Sequence, residues 1–127
     1  MTRCVAAAAL ALLACALPAQ AQLQRNFPAT ALRGELVVTQ PPDVLLNGRA
    51  ARLAPGARIR DEANLLVMSA TLVQRRLPVH FTVDRDGMLF DVWVLTPAEL
   101  ARRPWPATPE QAARWSFDPL AQTWSRP

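Results

Sequence analysis

A single histidine, two cysteines and no tyrosine narrow the chemistry open to this chain of 127 residues. Cys4 and Cys15 both fall in an apolar run near the N-terminus, so beyond that run His80 stands alone as an imidazole or thiol ligand. One such residue per copy cannot assemble a Cys/His structural site or a multi-histidine catalytic site. Asp84-Arg-Asp-Gly87 opens in the manner of a calcium loop but lacks the later oxygen ligands and the closing glutamate. There is no Gly-rich phosphate loop, paired-cysteine redox motif or nucleophile elbow. No metal and no cofactor is therefore expected.

The one acid/base couple that the pattern suggests is His80 with Asp91. If the segments on either side of Asp84–Gly87 form a hairpin that joins Val83 to Met88, Phe81 faces Phe90, Val79 faces Val92 and His80 faces Asp91. A His–Asp pair could serve a small hydrolase. The same pair on a sheet surface is an ordinary hydrogen bond or ion pair worth about 0.2–1 kcal/mol. No serine or cysteine nucleophile is placed beside it by the local pattern. The preferred expectation is a noncatalytic binding or structural protein, with a hydrolase using His80 and Asp91 as the alternative.

Binding chemistry is better represented. Every Lys/Arg position is an arginine, and the formal net charge is +4. Arginines recur as Arg49/Arg52, Arg58/Arg60 and Arg75/Arg76. In an extended segment Arg58 and Arg60 share a face, because alternate side chains point the same way. They form a candidate surface for an acidic protein or an anionic envelope component. A charge this small does not point to nucleic acid. Four tryptophans, Trp93, Trp105, Trp115 and Trp124, are the second unusual feature. They are candidates for docking a partner, since Trp and Arg dominate interface hot spots. Equally, they are the groups that could hold a C-terminal tail onto a sheet.

The elements that must position these residues read as mainly β. Residues 34–95 are expected to form a small antiparallel sheet of five or six short strands. Leu36–Thr39 is β-branched and ends at Pro41-Pro42. Val44–Leu46 and Arg49–Leu53 flank Asn47-Gly48, a strong signal for a type I′ hairpin. Pro55-Gly56 is read as a second turn, followed by a strand at 57–60 and a short apolar segment at 65–68. Leu77, Val79, Phe81 and Val83 alternate with more polar residues, as do Met88, Phe90, Val92 and Val94. Pro78 suggests an edge strand, and that edge or the tail could support a homo-oligomer. Trp93 and Leu95 on the opposite face call for a cover. In residues 96–127, Thr96-Pro-Ala-Glu99 and Thr108-Pro-Glu-Gln111 each start with a capping threonine and a first-turn proline. They predict short helices near 97–103 and 109–115, packed against the sheet with a Trp-containing tail.

Residues 1–21 read as a secretory signal peptide, with Arg3, an uncharged run from Cys4 to Leu17, and an Ala19-Gln-Ala21 exit. The run is about 14 residues, short of the roughly 20 that a spanning helix needs. Leu12-Leu-Ala-Cys15 roughly matches a lipobox, which makes a lipid anchor at Cys15 the competing expectation. Residues 22–33 are expected to be a flexible arm. Cleavage after Ala21 would remove both cysteines and leave a periplasmic or secreted domain without a disulfide. The mature protein is then expected to begin at Gln22. Intact-mass analysis of the processed chain checks this, and a diacylglycerol-modified Cys15 at the N-terminus would overturn it.

Overall fold

The computed structural model describes residues 24–127, so the expected signal peptide and Cys15 lie outside the described residues. The chain is mainly β, with a six-stranded mixed sheet, a separate two-stranded sheet and two short helices toward the C-terminus. No helix among the described residues is long and apolar enough to cross a membrane.

Strand β1 runs Leu32–Gln40 and stops at the two prolines, where a strand loses successive N–H donors. Strands β2 (Asp43–Leu46) and β3 (Arg49–Arg60) meet at Asn47-Gly48, with φ of 53° and 78°. Both values suit the type I′ turn that the pair predicts. Asn47 Oδ1 also accepts from the Glu35 N–H at 2.9 Å, which fastens the turn to β1. Gly34 leaves room beside it, since a Cβ there would lie 3.1 Å from Asn47 Oδ1 and from Leu46 Cδ1 and would press on both side chains.

Pro55-Gly56 does not end a strand. Strand β3 continues through it, paired with β2 over Arg49–Arg52 and parallel to β6 (Leu89–Val94) from Leu53 onward. Leu53 pairs with Leu89 and Arg58 with Asp91, so β3 carries extra residues between two pairings that lie close together on β6. A proline without an N–H and a glycine at φ 79° absorb that surplus as a bulge and bend the strand. This parallel pair makes the mostly antiparallel sheet a mixed one. Beyond it, β4 is only Leu66–Val67, flanking the end of β3, followed by a 3-10 turn at Ser69–Leu72.

Strand β5 (Arg76–Val83) returns beside β1 and forms a hairpin with β6. Three consecutive strands and a fourth lying beside the first make a Greek key. Because β2 also pairs with β3, the circuit β1–β2–β3–β6–β5 closes into a five-stranded barrel. Its interior holds Leu36, Val38, Val44, Leu53, Ile59, Leu77, Val79, Phe81, Leu89, Val92 and Val94. Burial of each such side chain is worth about 1.5–3 kcal/mol, and this cluster supplies the main driving force. Strand β5 lies between β1 and β6 and is not the edge that Pro78 suggested. The Pro78 carbonyl accepts from Leu95 N at 2.9 Å, one residue past the end of β6, so the missing donor falls where the ladder is already ending.

The hairpin register differs from the simple joining of Val83 to Met88. Val79 pairs with Val94, Phe81 with Val92 and Val83 with Leu89. The Asp84 carboxylate collects the N–H groups of Asp86 and Met88, which makes the turn longer than four residues. Phe90 and Asp91 then oppose Thr82 alone, a β-bulge. Leu89 takes the inward position expected for Phe90, and Phe90 lies half-buried beneath the Arg58 guanidinium at 5.7 Å.

The outer face of β1, β5 and β6 is covered by both ends of the described chain. Phe27, Ala31, Leu95, Trp105 and Trp124 form a second apolar cluster, with Trp93, Leu100, Trp115 and Phe117 packed against it. The segment expected as a flexible arm is instead packed from Arg25 onward, because Phe27 fills a place among those aromatic rings. Helix α1 (Pro97–Leu100) has the full reciprocal capping box of Thr96 and Glu99. Helix α2 (Pro109–Arg114) has only half of one, since the Gln111 side chain accepts from Ala107 N. The tail forms a hairpin of β7 (Ser116–Asp118) and β8 (Thr123–Ser125), with Phe117 opposite Trp124. Gln122, at 1% exposure, ties the two ends together by accepting from Phe27 N at 2.8 Å and donating to Pro119 O at 2.9 Å.

Gln122→Ala should leave the buried Phe27 N–H without an acceptor, a loss of about 1–3 kcal/mol. Urea unfolding and hydrogen exchange check this. The expected result is a lower midpoint together with faster exchange at Phe27 than at Val79.

Candidate functional site

The row of residues Arg33, His80, Trp93 and Arg60 crosses β1, β5, β6 and β3 in register on the barrel's outer side. The covering layer seals its centre. His80 is 0% exposed, stacked on Trp105 with ring centroids 4.1 Å apart and meeting Phe27 edge-on at 4.4 Å. Arg33 Nε donates to His80 Nε2 at 3.2 Å, so Nε2 carries a lone pair and the neutral ring has its proton on Nδ1. No hydrogen-bond partner meets that Nδ1 among the described residues. Burial first, then the positive charges of Arg33, Arg25 and Arg102, push the imidazole pKa down to about 2. A neutral ring without solvent contact cannot pass protons to or from a substrate.

His80 and Asp91 do not face each other. The bulge places Trp93 opposite His80, while the Asp91 N–H donates to Thr82 Oγ1 at 3.2 Å. The Asp91 carboxylate lies 3.9 Å from both Arg58 Nε and Arg60 Nη1. Arg58 and Arg60 thus share a face with an acid between them, and their charge is partly compensated. Among the tryptophans, Trp105 and Trp124 are buried and Trp93 and Trp115 half-buried, all belonging to the covering cluster. Trp105 Nε1 donates to Ala31 O at 3.0 Å, whereas Trp124 Nε1 is buried without a partner among the described residues.

The groups that organise this face were not singled out by spacing. Arg25 and Glu99 form a buried ion pair, with Arg25 Nε donating to Glu99 Oε2 at 2.9 Å and Nη2 to Oε1. Arg25 also donates to the carbonyls of Asp61 and Val94 at 2.8 and 2.7 Å. Burial raises the Glu99 pKa, but hydrogen bonds from Arg25 and the Thr96 N–H outweigh it and hold the carboxyl below its ordinary range. Arg33 reaches the end of α1 and donates to the carbonyls of Glu99, Leu100 and Arg102 at 2.9, 3.2 and 2.9 Å. Carbonyls at a helix C-terminus carry partial negative charge and favour a cation, and that of Glu99 also accepts from Arg102 N at 3.2 Å. The capping threonine identified Glu99 as a helix residue, and nothing local marked its partner 74 positions earlier.

Beside Arg33 the surface dips into a cleft of about 280 Å³ lined by Arg33, Leu100, Arg103, Pro104, Trp105 and Arg126. Three of these six residues are arginines, and no acidic residue lines the hollow among the described residues. The Arg33 guanidinium lies 5.5 Å from the Trp105 ring centroid, and that of Arg126 lies 5.4 Å from Trp115. Burial, and next the charge of Arg103, lower the Arg33 pKa from 12.5 to about 10. A larger groove of about 750 Å³ lies between Pro28–Thr30, the end of β5 and α2. It is mostly apolar, and its carboxylate, Asp91, already faces Arg58 and Arg60. No family model, curated protein or solved structure matches the chain.

The depressed His80 pKa has a definite sign in the pH dependence of stability. The unfolded imidazole takes up a proton below about pH 6.5 and the folded one resists it down to about pH 2. Stability is therefore full above pH 6.5 and falls as the pH drops through that window. Between pH 6.5 and 4.5 the slope belongs to His80, since Glu99 adds its own loss only at lower pH. Urea midpoints measured across this interval should fall for the wild type, by at most about 1.4 kcal/mol per pH unit. His80→Gln, which keeps an acceptor for Arg33, should flatten the profile.

Proposed function

We propose that this chain is a noncatalytic extracytoplasmic binding protein that holds an anionic group, carried by an envelope component or an acidic protein, in the Arg33–Arg103–Arg126 cleft. The observation that carries this reading is the meeting of three arginines around one small hollow with no acidic residue in its lining among the described residues. Arg33 is partly compensated by the nearby Glu99 carboxylate, whereas like charges gathered beside it are unfavourable unless a ligand offsets them, and such arrangements concentrate at functional sites. Arg33 is held by three carbonyls and His80, which gives the site one fixed positive charge. Arg103 and Arg126 are exposed, with no acidic partner within 4.0 Å among the described residues. Arginine forks bind carboxylate and phosphate through paired N–H groups, so the donor type fits the ligand class.

Export rests on the leader pattern in residues 1–21, with lipidation at Cys15 as the competing route to the envelope. The sealed position of His80 gives no support to the hydrolase alternative.

Isothermal titration of the purified protein with inorganic phosphate at low ionic strength tests the cleft. Arg103→Gln combined with Arg126→Gln should weaken binding at least about tenfold, the usual effect of losing charge-assisted hydrogen bonds. Arg49→Gln with Arg52→Gln, on a different part of the barrel, should leave it unchanged. Equal loss in both variants would reduce the effect to net charge, and no loss in the first would remove the cleft from consideration.

A further inference from the structure

Resting on the anion-binding reading of this cleft, we infer that its ligand is a single terminal oxyanion on a short apolar stem, a phosphomonoester or carboxylate end group, and not an internal unit of a polyanion. The first reason is size. An open hollow of about 280 Å³, at the lower edge of the roughly 300–1,000 Å³ of ligand pockets, matches one head group with a few attached atoms. An internal diester carries a substituent on each side, and both must leave the hollow.

The second reason is the composition of the walls. Between the charged groups stand Leu100, Pro104 and Trp105, which offer apolar surface and little hydrogen bonding. The Trp105 indole N–H is already committed to Ala31 O. A hydrocarbon or ring stem is matched by these walls, whereas sugar or glycerol hydroxyls on both sides of an internal phosphate would lose water without compensation.

The third reason is how the guanidinium groups are held. Arg33 has spent Nε on His80, and its Nη1 and Nη2 donate to backbone carbonyls, so it supplies fixed charge more than free donors. Arg126 lies against Trp115, while Arg103 has no hydrogen bond within the protein among the described residues. Two available forks beside one fixed charge suit an end group that turns two or three oxygens toward them. A dianionic monoester gains most from such a site, a carboxylate less, and a monoanionic diester least.

Arginine Nε–H and tryptophan indole resonances of the ¹⁵N-labelled protein can be followed during separate titrations with propyl phosphate, butyrate, dipropyl phosphate and inorganic phosphate. The expected result is that propyl phosphate shifts the Arg126 and Trp105 signals and binds at least about tenfold more tightly than dipropyl phosphate. The order of propyl phosphate and butyrate distinguishes a phosphate-bearing from a carboxylate-bearing source. Equal affinity for propyl and dipropyl phosphate would overturn the end-group inference while leaving the anion site standing. Inorganic phosphate binding as tightly as propyl phosphate would remove the apolar stem. Failure of all four to shift these signals would overturn both this inference and the reading beneath it. Arg126→Gln, at an exposed position, serves as the variant in which the propyl phosphate shifts should be lost without loss of fold.

Discussion

A closed barrel of five strands needs only one buried face per strand, yet in this molecule the outer side of β1, β5 and β6 also turns from water. Trp105 is the group on which that second layer depends. Its ring stacks on His80, meets Phe27, Phe117 and Trp124 edge-on or tilted, and borders the Arg33 guanidinium. The indole is anchored through its N–H to Ala31 O, so its orientation is fixed from the side of the N-terminal arm. Everything placed over the sheet, from the Arg25–Glu99 ion pair to the tail hairpin, is arranged around that ring. The cost is visible in Nδ1 of His80 and Nε1 of Trp124, both buried without partners among the described residues. Large aromatic burial offsets a few such losses, each about 1–3 kcal/mol.

The chain's acids explain why its arginines are so unevenly compensated. Asp61, Asp84 and Asp118 each turn a carboxylate oxygen back to two backbone N–H groups in their own loops. Glu99 is spent on a helix cap and on Arg25. Only Asp91 among the paired acids faces arginines across the sheet. With so much of the negative charge committed to turns and caps, the surplus of guanidinium groups falls on the surface, and at one hollow three of them gather. Composition reported the excess correctly, and geometry decided where it matters.

Local chemistry was the legible part of the fold. Asn47-Gly48, Pro41-Pro42 and the two Thr-Pro helix starts act through their own backbone preferences, and they stand where those preferences place them. The hairpin around Asp84–Gly87 was legible as a pair of strands, but its register was not, because a bulge at Phe90-Asp91 leaves the two-residue alternation almost unchanged. The parallel pairing of β3 with β6 and the closure of the barrel depend on residues far apart, and no periodicity records them. The same holds for the candidate site. Arg58, Arg60, His80 and Asp91 were visible through alternation along single strands, whereas Arg33, Arg103 and Arg126 come from three separate segments. Arg25 and Gln122 were hidden for a related reason, as polar residues in stretches without rhythm whose partners lie 74 and 95 positions away.

The contact between Phe27 and Gln122 closes nearly the whole described length of the chain into one loop. Closing a loop of that size costs more entropy than closing a local turn, and here one buried side chain bonds both the N–H and the carbonyl of Phe27 across it. The barrel interior does not depend on it directly. A partial opening that peels back the arm and the tail hairpin would therefore bare the indole and imidazole rings while the strands stayed wound. The outer wrapping is thus a clasp across the chain's two described ends, laid over a drum whose wall is closed by its own strands.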